Sequence, residues 1–470
     1  MQQQAQRLIN HYRQALKIKP DNYSLYEKIA QLYYKIDRLD LALEVCQIVL
    51  QCEPNLQLNI LPVLANKLGL EEEEFAHFRN HLISKVDIKT IYQDKLEKAP
   101  ILPNIRKWKD IQQLFQQQKY SESIAACFHS IENDLSLPWP HLYLNGIVFF
   151  LDSSKTSYLE QISNFYRQIL QESSVSPEAY IVLGNALTKQ GRITEAIFAF
   201  KTGMDKRNYF SQYNSKLYDN LKKVSQVHFL IIGIGKGGTS SLYHYLSQYP
   251  NVIPPSQKEL HFFNKNFELG LEWYLAQFPL LPEGDIFLTG EATPWYLVSQ
   301  GVAAKVRQFF PKIKLIAVLR NPVTRAISQY YMNQKLSRES RSLEVALTSE
   351  MNTLSKLTNL DQVSSEFWQT ENAYLLFSLY FYFLKQWMEI FPREQFLIIR
   401  SEDLYSQTAQ TMQQVYNFLG IPDYPLAEYP NYNAGSYPQV SSELRHKLAD
   451  FFRPHNQKLE EYLGMNFNWE

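Results

Sequence analysis

Between Gly233 and Ser241 the sequence reads Gly-Ile-Gly-Lys-Gly-Gly-Thr-Ser-Ser. Glycines let backbone N–H groups approach an anion closely, a lysine adds a full positive charge, and hydroxyls donate hydrogen bonds. Where such a segment joins a strand to a helix, the first amides of the helix add partial positive charge. Gly235, Lys236, Gly237, Gly238, Thr239 and Ser240 therefore read as a phosphate cradle. The order of residues differs from Gly-x4-Gly-Lys-Ser/Thr, because Lys236 precedes the glycine pair. It also differs from Gly-x-Gly-x-x-Gly, because Thr239 stands at the third glycine position. A tight strand-to-helix turn without a ligand is the bland alternative, but it needs neither a lysine nor three hydroxyls.

A second anion-binding group follows Leu315-Ile316-Ala317-Val318-Leu319, namely Arg320-Asn321-Pro322 and then a segment holding Arg325 and Ser328. Arg320 would emerge at a strand's carboxyl end, where a guanidinium can hold a phosphate through two parallel hydrogen bonds. Pro322 suits a helix's first turn, and Ser328 would lie about two turns further along, able to add a hydroxyl to the same anion. Arg325 alone reads as a solvated helix charge. Two anion sites on neighbouring strand ends imply one nucleotide with phosphates at both ends. A third segment, Lys258-Glu259-Leu260-His261-Phe262-Phe263, places a carboxylate and an imidazole two residues apart, so an extended backbone would put both on one side. Taken alone, Glu259 reads more readily as an ion pair with Lys258.

These groups need elements to hold them. Val227 to Gly233, Ile313 to Leu319 and Gln395 to Ile399 are short apolar, β-branched runs that suit buried parallel strands. Helical patterns separate them at Ser240 to Ser247, Val302 to Phe310, Val323 to Asn333 and Tyr380 to Ile390. Strands alternating with helices predict a three-layer α/β domain with a central parallel sheet, whose ligands sit at the strands' carboxyl ends. The aromatic stripe Tyr374, Phe377, Tyr380, Phe381, Phe383, Leu384 and Trp387 has helical spacing and reads as core.

The first half has another texture. Apolar residues recur at three and four in Tyr26, Ile29, Ala30, Tyr33 and Tyr34, and in Leu41, Ala42, Val45, Val49 and Leu50. The turn Lys19-Pro20-Asp21 returns as Glu53-Pro54-Asn55, and at the same offset Tyr12 matches Cys46, Ala15 matches Val49 and Leu16 matches Leu50. That period, about 34 residues, is the tetratricopeptide helix-pair period. A second unit runs from Pro177 to Asn208, with Gly191 at its turn and Gly184, Ala186 and Ala196 small enough for close helix approach. Trp108 to Phe128 and Tyr158 to Leu170 read as helical stretches between the two units. The expected organisation is a tetratricopeptide-like helical repeat domain over 1–222 and an α/β domain over 223–470; an irregular helical bundle is the rival for the first.

Composition sets outer limits. The 470 residues carry 47 Lys and Arg against 47 Asp and Glu, which argues against a chain-wide basic nucleic-acid or membrane binder. Three cysteines, Cys46, Cys52 and Cys127, make neither a disulfide framework nor a four-thiolate zinc site, and no metal is expected. The N-terminal residues lack a basic stretch followed by an apolar one, and the most apolar run, Ala373 to Leu384, falls short of a span. A cytoplasmic protein without a transmembrane segment is the expectation.

The sequences FLIIGIGKGGTSSLYHYLSQYPNVIPPSQKELHFF and LIAVLRNPVTRAISQYY resemble the two cofactor motifs of the sulfotransferase family, nearest to its heparan-sulfate-type branch. The resemblance covers Val227 to the C-terminus. It implies a P-loop-like α/β fold and 3′-phosphoadenosine 5′-phosphosulfate (PAPS) as co-substrate, with the glycine loop on the 5′-phosphosulfate and Arg320 and Ser328 on the 3′-phosphate. It also makes Glu259 the general base with His261 beside it, either sharing the chemistry or supporting it by a hydrogen bond. Lys236 then faces the bridging oxygen, where charge develops. Gly290 to Tyr296 resembles an acceptor-site segment whose lysine is Ala292 here, and Asn264 replaces an aspartate. Asn433 to Pro438 corresponds to a cofactor-covering Lys-Gly-Arg loop whose two basic residues are absent, leaving Tyr437 a hydroxyl or backbone contact. These departures leave fewer cations for a polyanionic acceptor. The acceptor is expected to be a glycan, lipid or small metabolite presenting a hydroxyl or amine, and the helical domain to bind a protein partner, orient the acceptor or self-associate. An ATP-dependent kinase on the same scaffold, or a scaffold protein with an inactive transferase domain, are the rivals.

Overall fold

The computed structural model describes residues 2–36, 38–68, 72–83, 104–152, 154–171, 175–207, 209, 221–222, 224, 226–282, 287–356, 373–426, 428–430 and 438–469. The chain forms two compact units, Met1–Ala196 and Ile197–Glu470. The expected boundary at 222/223 lies inside the second unit. The reason is packing: Phe200 meets the Trp273 ring edge-on, Lys201 pairs with Glu272 at 2.7 Å, and Arg207 donates to the Ser256 carbonyl at 2.7 Å.

The first unit is a series of helices: α1 Gln2–Ile18, α2 Tyr23–Lys35, α3 Leu39–Cys52, α4 Ile60–Lys67, α5 Glu72–Ile83, α6 Asn104–Gln116, α7 Tyr120–Asn133, α8 Pro138–Phe150, α9 Thr156–Ile169, α10 Glu178–Lys189 and the start of α11 Ile193–Lys206. The repeated proline turns sit between α1 and α2 and again between α3 and α4. The matched pairs Tyr12/Cys46 and Leu16/Leu50 are buried at equivalent places in one core with Tyr26, Ile29, Ala30, Val45 and Val49. Gly191, at φ +74°, makes the turn between α10 and α11, and Gly184, Ala186 and Ala196 are buried. The stretch from Trp108 to Phe128 is two helices, α6 and α7, broken by a turn in which Gln118 takes φ +59°.

The second unit is built on a parallel sheet. Its strands are β2 Phe229–Gly233, β4 Gly290–Ala292, β5 Lys314–Leu319 and β6 Phe396–Arg400, in the order β4-β2-β5-β6; β1 Leu221–Lys222 and β3 Leu281–Pro282 form a separate antiparallel pair. Phe229 is opposite both Gly290 and Lys314, and Leu315 is opposite Phe396. Alternation puts Phe229, Ile231, Ile316, Val318 and Ile399 on one face, packed with α12 Thr239–Leu246 and α19 Thr408–Leu419. Leu230, Ile232, Leu315, Ala317 and Leu319 point the other way and are equally buried, so the sheet is covered on both faces. The remaining helices are α13 Leu271–Leu275, α14 Val302–Phe309, α15 Pro322–Lys335, α16 Leu343–Leu354, α17 Tyr380–Met388, α18 Ser401–Ser406 and α20 Ser442–Leu463. Strand β4, Gly-Glu-Ala, carries no strand pattern in sequence. Its Gly290 is pressed so closely on Phe229 that a Cβ would stand 2.4 Å from the Phe229 carbonyl.

The strand order decides where a ligand fits. After β2 the chain turns to β4 on one side, and after β5 it turns to β6 on the other, so a crevice opens between the carboxyl ends of β2 and β5. The β2 tip is anchored to the β5 tip by the Ile234 N–H donating to the Val318 carbonyl at 3.0 Å. Gly237 lies against the same carbonyl, where a Cβ would be 2.4 Å away. Gly237→Ala should therefore lower the stability of the second unit by about 1–3 kcal/mol, the usual cost of overpacking. Chemical denaturation followed through the second unit's tryptophans checks this; an unchanged midpoint would show that the loop yields freely.

Candidate active site

At that crevice lies a cleft of about 810 Å3. Gly235, Lys236, Gly238, Thr239, Ser240, Glu259, Arg320 and Ser328 all line it, although they come from three separate stretches of sequence. Gly237 holds the loop from behind, as its contact with Val318 shows. Tyr437 lies outside the described residues.

The loop after β2 reverses direction through Lys236 at φ +71° and Gly238 at φ +108°, the latter a conformation that side chains rarely adopt. Thr239 and Ser240 then open α12, with its first amides directed at the loop. Arg320 leaves the tip of β5 and is braced rather than loose: its Nε donates to Thr324 Oγ1 at 3.1 Å and one Nη to the Lys236 carbonyl at 3.2 Å. Asn321 caps α15, accepting from the Val323 and Thr324 N–H groups at 3.0 and 3.2 Å. Ser328, on the same face of α15, is buried. Burial pushes the Lys236 ammonium below its usual range, and the charges of Arg320 and Arg325 push it further, against a smaller pull from Glu259. Cations gathered in one cleft suit an anionic ligand.

Arg325 departs from expectation. It is 1% exposed, so it is no solvated helix charge. Its Nε donates to Ser378 Oγ at 2.6 Å, one Nη to Gln329 Oε1 at 2.6 Å and to the Gly235 carbonyl at 3.3 Å, and the other Nη to the Tyr374 carbonyl. Burial lowers it to about 10, still charged at neutral pH. The helical period could place Arg325 on the inner face; only the tertiary fold supplies the carbonyls that satisfy it there.

Glu259 and His261 do meet, but not through an extended backbone. Both take left-handed conformations, φ +67° and +53°, and a π-turn at Phe262–Asn266 follows. The Glu259 N–H donates to the Ala292 carbonyl at 3.1 Å, which fixes the segment to the end of β4. His261 Nε2 stands 3.6 Å from Glu259 Oε2, while its Nδ1 is 3.3 Å from Asn264 Oδ1. His261 stands behind Glu259, off the cleft wall. Lys258 pairs with Glu259 Oε1. Burial raises the Glu259 carboxyl, but His261 and Lys258 together outweigh it and hold the group at about 2. The carboxylate is thus ionised and aimed into the cleft.

Several wall residues escaped the sequence reading. Trp295 and Phe377 meet edge-to-face with ring centres 5.5 Å apart. Glu402 accepts from the Asn321 N–H at 2.9 Å and from Trp469 Nε1–H at 3.3 Å, drawing the indole of Trp469 to the cleft. Trp469 lies 67 residues from Glu402, so spacing alone gives no signal of that pairing. Glu291, in the segment expected on the acceptor side, is buried and accepts from Tyr296 at 2.7 Å, Thr293 at 2.7 Å and Tyr274 at 3.0 Å, so it supports the wall from behind. Among the described residues no group of three or more His, Cys, Asp or Glu could hold a metal ion, and no helix is long and apolar enough to cross a membrane.

Comparison with known proteins gives matching results. A family model described as sulfotransferase domain matches residues 226–432, and one described as tetratricopeptide repeat matches residues 177–205. Human heparan sulfate glucosamine 3-O-sulfotransferase 5 is 29% identical over 315 residues, 61% of this chain and 86% of that protein. Human heparan sulfate glucosamine 3-O-sulfotransferase 6 is 32% identical over 264 residues, 51% of this chain and 72% of that protein. A crystal structure of a sulfotransferase from Alicyclobacillus acidocaldarius is similar at 27% identity and a TM-score of 0.41, covering 52% of this chain and 98% of that one.

The ion pair beside Glu259 has a measurable effect on its titration. Replacing Lys258 with Met removes one of the two groups holding the carboxyl down and leaves burial less opposed, so the carboxyl should titrate above about 2. Carboxyl-carbon NMR across pH 2 to 7 reads this directly, and an unmoved titration would show that Lys258 has no hold on it.

Proposed function

Since the chain belongs to the sulfotransferase family, whose sulfuryl donor is PAPS, we propose how its cleft divides the work of moving that group to an acceptor hydroxyl or amine. The glycine loop, with the N–H groups opening α12, holds the 5′-phosphosulfate. Arg320 and Ser328 hold the 3′-phosphate. Glu259 takes the proton from the acceptor as its oxygen or nitrogen attacks sulfur. The new bond to sulfur forms as the bond from sulfur to the bridging oxygen breaks, and that oxygen keeps the electron pair as part of adenosine 3′,5′-bisphosphate. Lys236 lies where this charge develops and stabilises it. The observation that carries the reading is the convergence of Lys236, Arg320 and Glu259 on one cleft at the crevice between β2 and β5.

An acid held near 2 is ionised but a weak base. An acceptor seated against Glu259 would displace the Lys258 contact, and burial would then raise the carboxyl toward the value its task requires. His261, with Nδ1 beside Asn264, orients the carboxylate in this account and takes no proton. The relatives named above act on heparan sulfate glucosamine, which favours a glycan as the acceptor class here.

The central experiment is Glu259→Gln. Turnover of PAPS with any accepted substrate should fall at least about a thousandfold, within the range general base catalysis contributes. Affinity for adenosine 3′,5′-bisphosphate, measured by calorimetry, should stay within about twofold; a large loss of affinity would remove Glu259 from the role of base. Arg320→Ala tests the other end of the nucleotide. It should weaken adenosine 3′,5′-bisphosphate by about 1.5–3 kcal/mol, the worth of a charge-assisted contact, while leaving adenosine 5′-phosphate nearly unaffected. Equal losses for both nucleotides would move the 3′-phosphate elsewhere.

A further inference from the structure

The donor has three parts, and the glycine loop and Arg320 account for two of them, the phosphosulfate and the 3′-phosphate. The order of the strands decides where the third part, the base, can go. Glu259 is tied to the end of β4, the glycine loop follows β2, Arg320 follows β5, and the sheet runs β4-β2-β5-β6. A donor with its sulfur beside Glu259 and its 3′-phosphate on Arg320 is therefore laid across the strand tips, starting from the β4 side. Its base hangs from C1′, across the ribose from the carbon that bears the phosphosulfate arm. The base is thus carried on toward the tip of β6.

Arg400, Glu402, Tyr405 and Trp469 line the cleft there. Arg400 stands 3.7 Å from Asp403, with Glu402 between them in sequence, so among these residues no surplus of positive charge awaits a phosphate. Trp469 comes from the segment after α20 and is fastened from several directions. Phe467, itself buried, stacks on it with ring centres 4.3 Å apart, and the Phe467 N–H donates to Glu460 Oε1 at 2.7 Å. The Tyr380 ring meets it at 5.7 Å, and the Tyr380 hydroxyl donates to the Arg320 carbonyl at 2.8 Å. Glu402 takes the indole N–H on one carboxylate oxygen and, on the other, the N–H of Asn321, the residue after Arg320. With its one polar atom engaged, the indole offers the cleft flat apolar surface beside the β5 tip.

We infer that Trp469 is the seat of the donor's adenine, with the indole packed against the base. This rests on the donor assignment above and extends it to the part of the nucleotide that charge cannot hold. A braced aromatic ring suits that task, because every base has a π-face to stack and the ring gives up little freedom in meeting it. Tyr405 stands on the loop side of the same pocket, its hydroxyl 3.4 Å from Ser241 Oγ at the start of α12.

The test measures two ligands on the full chain by calorimetry: adenosine 3′,5′-bisphosphate, and methyl β-D-ribofuranoside 3,5-bisphosphate, which keeps both phosphates and lacks the base. Trp469→Leu and Trp469→Phe both remove the bond to Glu402, but only the second keeps a ring, so the pair separates stacking from that hydrogen bond. Trp469→Leu should weaken the adenosine ligand about tenfold and Trp469→Phe by less than about threefold, the scale of one base stacked on one ring. The base-free ligand should bind both variants as it binds the natural chain, which also shows that their clefts are folded. Equal losses of the adenosine ligand in the two variants, a matching loss of the base-free ligand, or no loss at all would overturn the inference. So would a natural chain that binds the two ligands equally well. A natural chain that binds neither would overturn the donor assignment, and this inference with it.

Discussion

Positive charge crowded at the meeting of two strand tips is the constraint on which the second unit depends. Lys236, Arg320 and Arg325 are brought together, and burial and their mutual repulsion outweigh the pull of Glu259 on Lys236. Such a cluster persists only if the surrounding framework holds it. Here that framework is the β2–β5 pairing, the Ile234 to Val318 hydrogen bond, the glycine contacts that bring the loop close, and the carbonyls that receive Arg325. The sheet, the close-packed glycines and the cap on α15 all serve to keep these positive groups together at one cleft. Glu259 is poised by the same economy of means, with Lys258 and His261 opposing its burial.

Much of this was legible in the residues. The strands β2, β5 and β6 are apolar runs with β-branched residues, and the glycine loop and Arg320-Asn321-Pro322 follow two of them directly, so local chemistry and local structure point the same way. The tetratricopeptide period was legible because Tyr12 and Cys46, or Leu16 and Leu50, occupy like places in successive helix pairs. Other parts were not, each for a physical reason. Strand β4 is three residues without a pattern, formed because Gly290 alone can approach Phe229 so closely. Arg325 looked exposed because Gln329 is its one nearby acceptor; the acceptors at Tyr374 and Ser378 lie some fifty residues away. Glu259 and His261 reach each other through two left-handed residues, a conformation no propensity assigns to glutamate or histidine.

The cleft is not uniform in chemistry. Lys236 and Arg320 stand at the tips of the inner strands of the sheet. The wall near β4 is defined by rings, with Trp295 and Phe377 in contact and Glu291 buried beneath among three hydroxyl donors. That support fixes the shape of the wall from behind without lending it charge, so the two ends of the cleft can differ in polarity while sharing one framework.

Arg325 also ties separate stretches of the chain together. One guanidinium holds the Gly235 carbonyl of the glycine loop, the Gln329 amide one turn along α15, and the Ser378 and Tyr374 groups flanking Phe377. The loop and the segment bearing Phe377 are thus fastened to one rigid planar group, and the reach of a single arginine sets how far apart they stand.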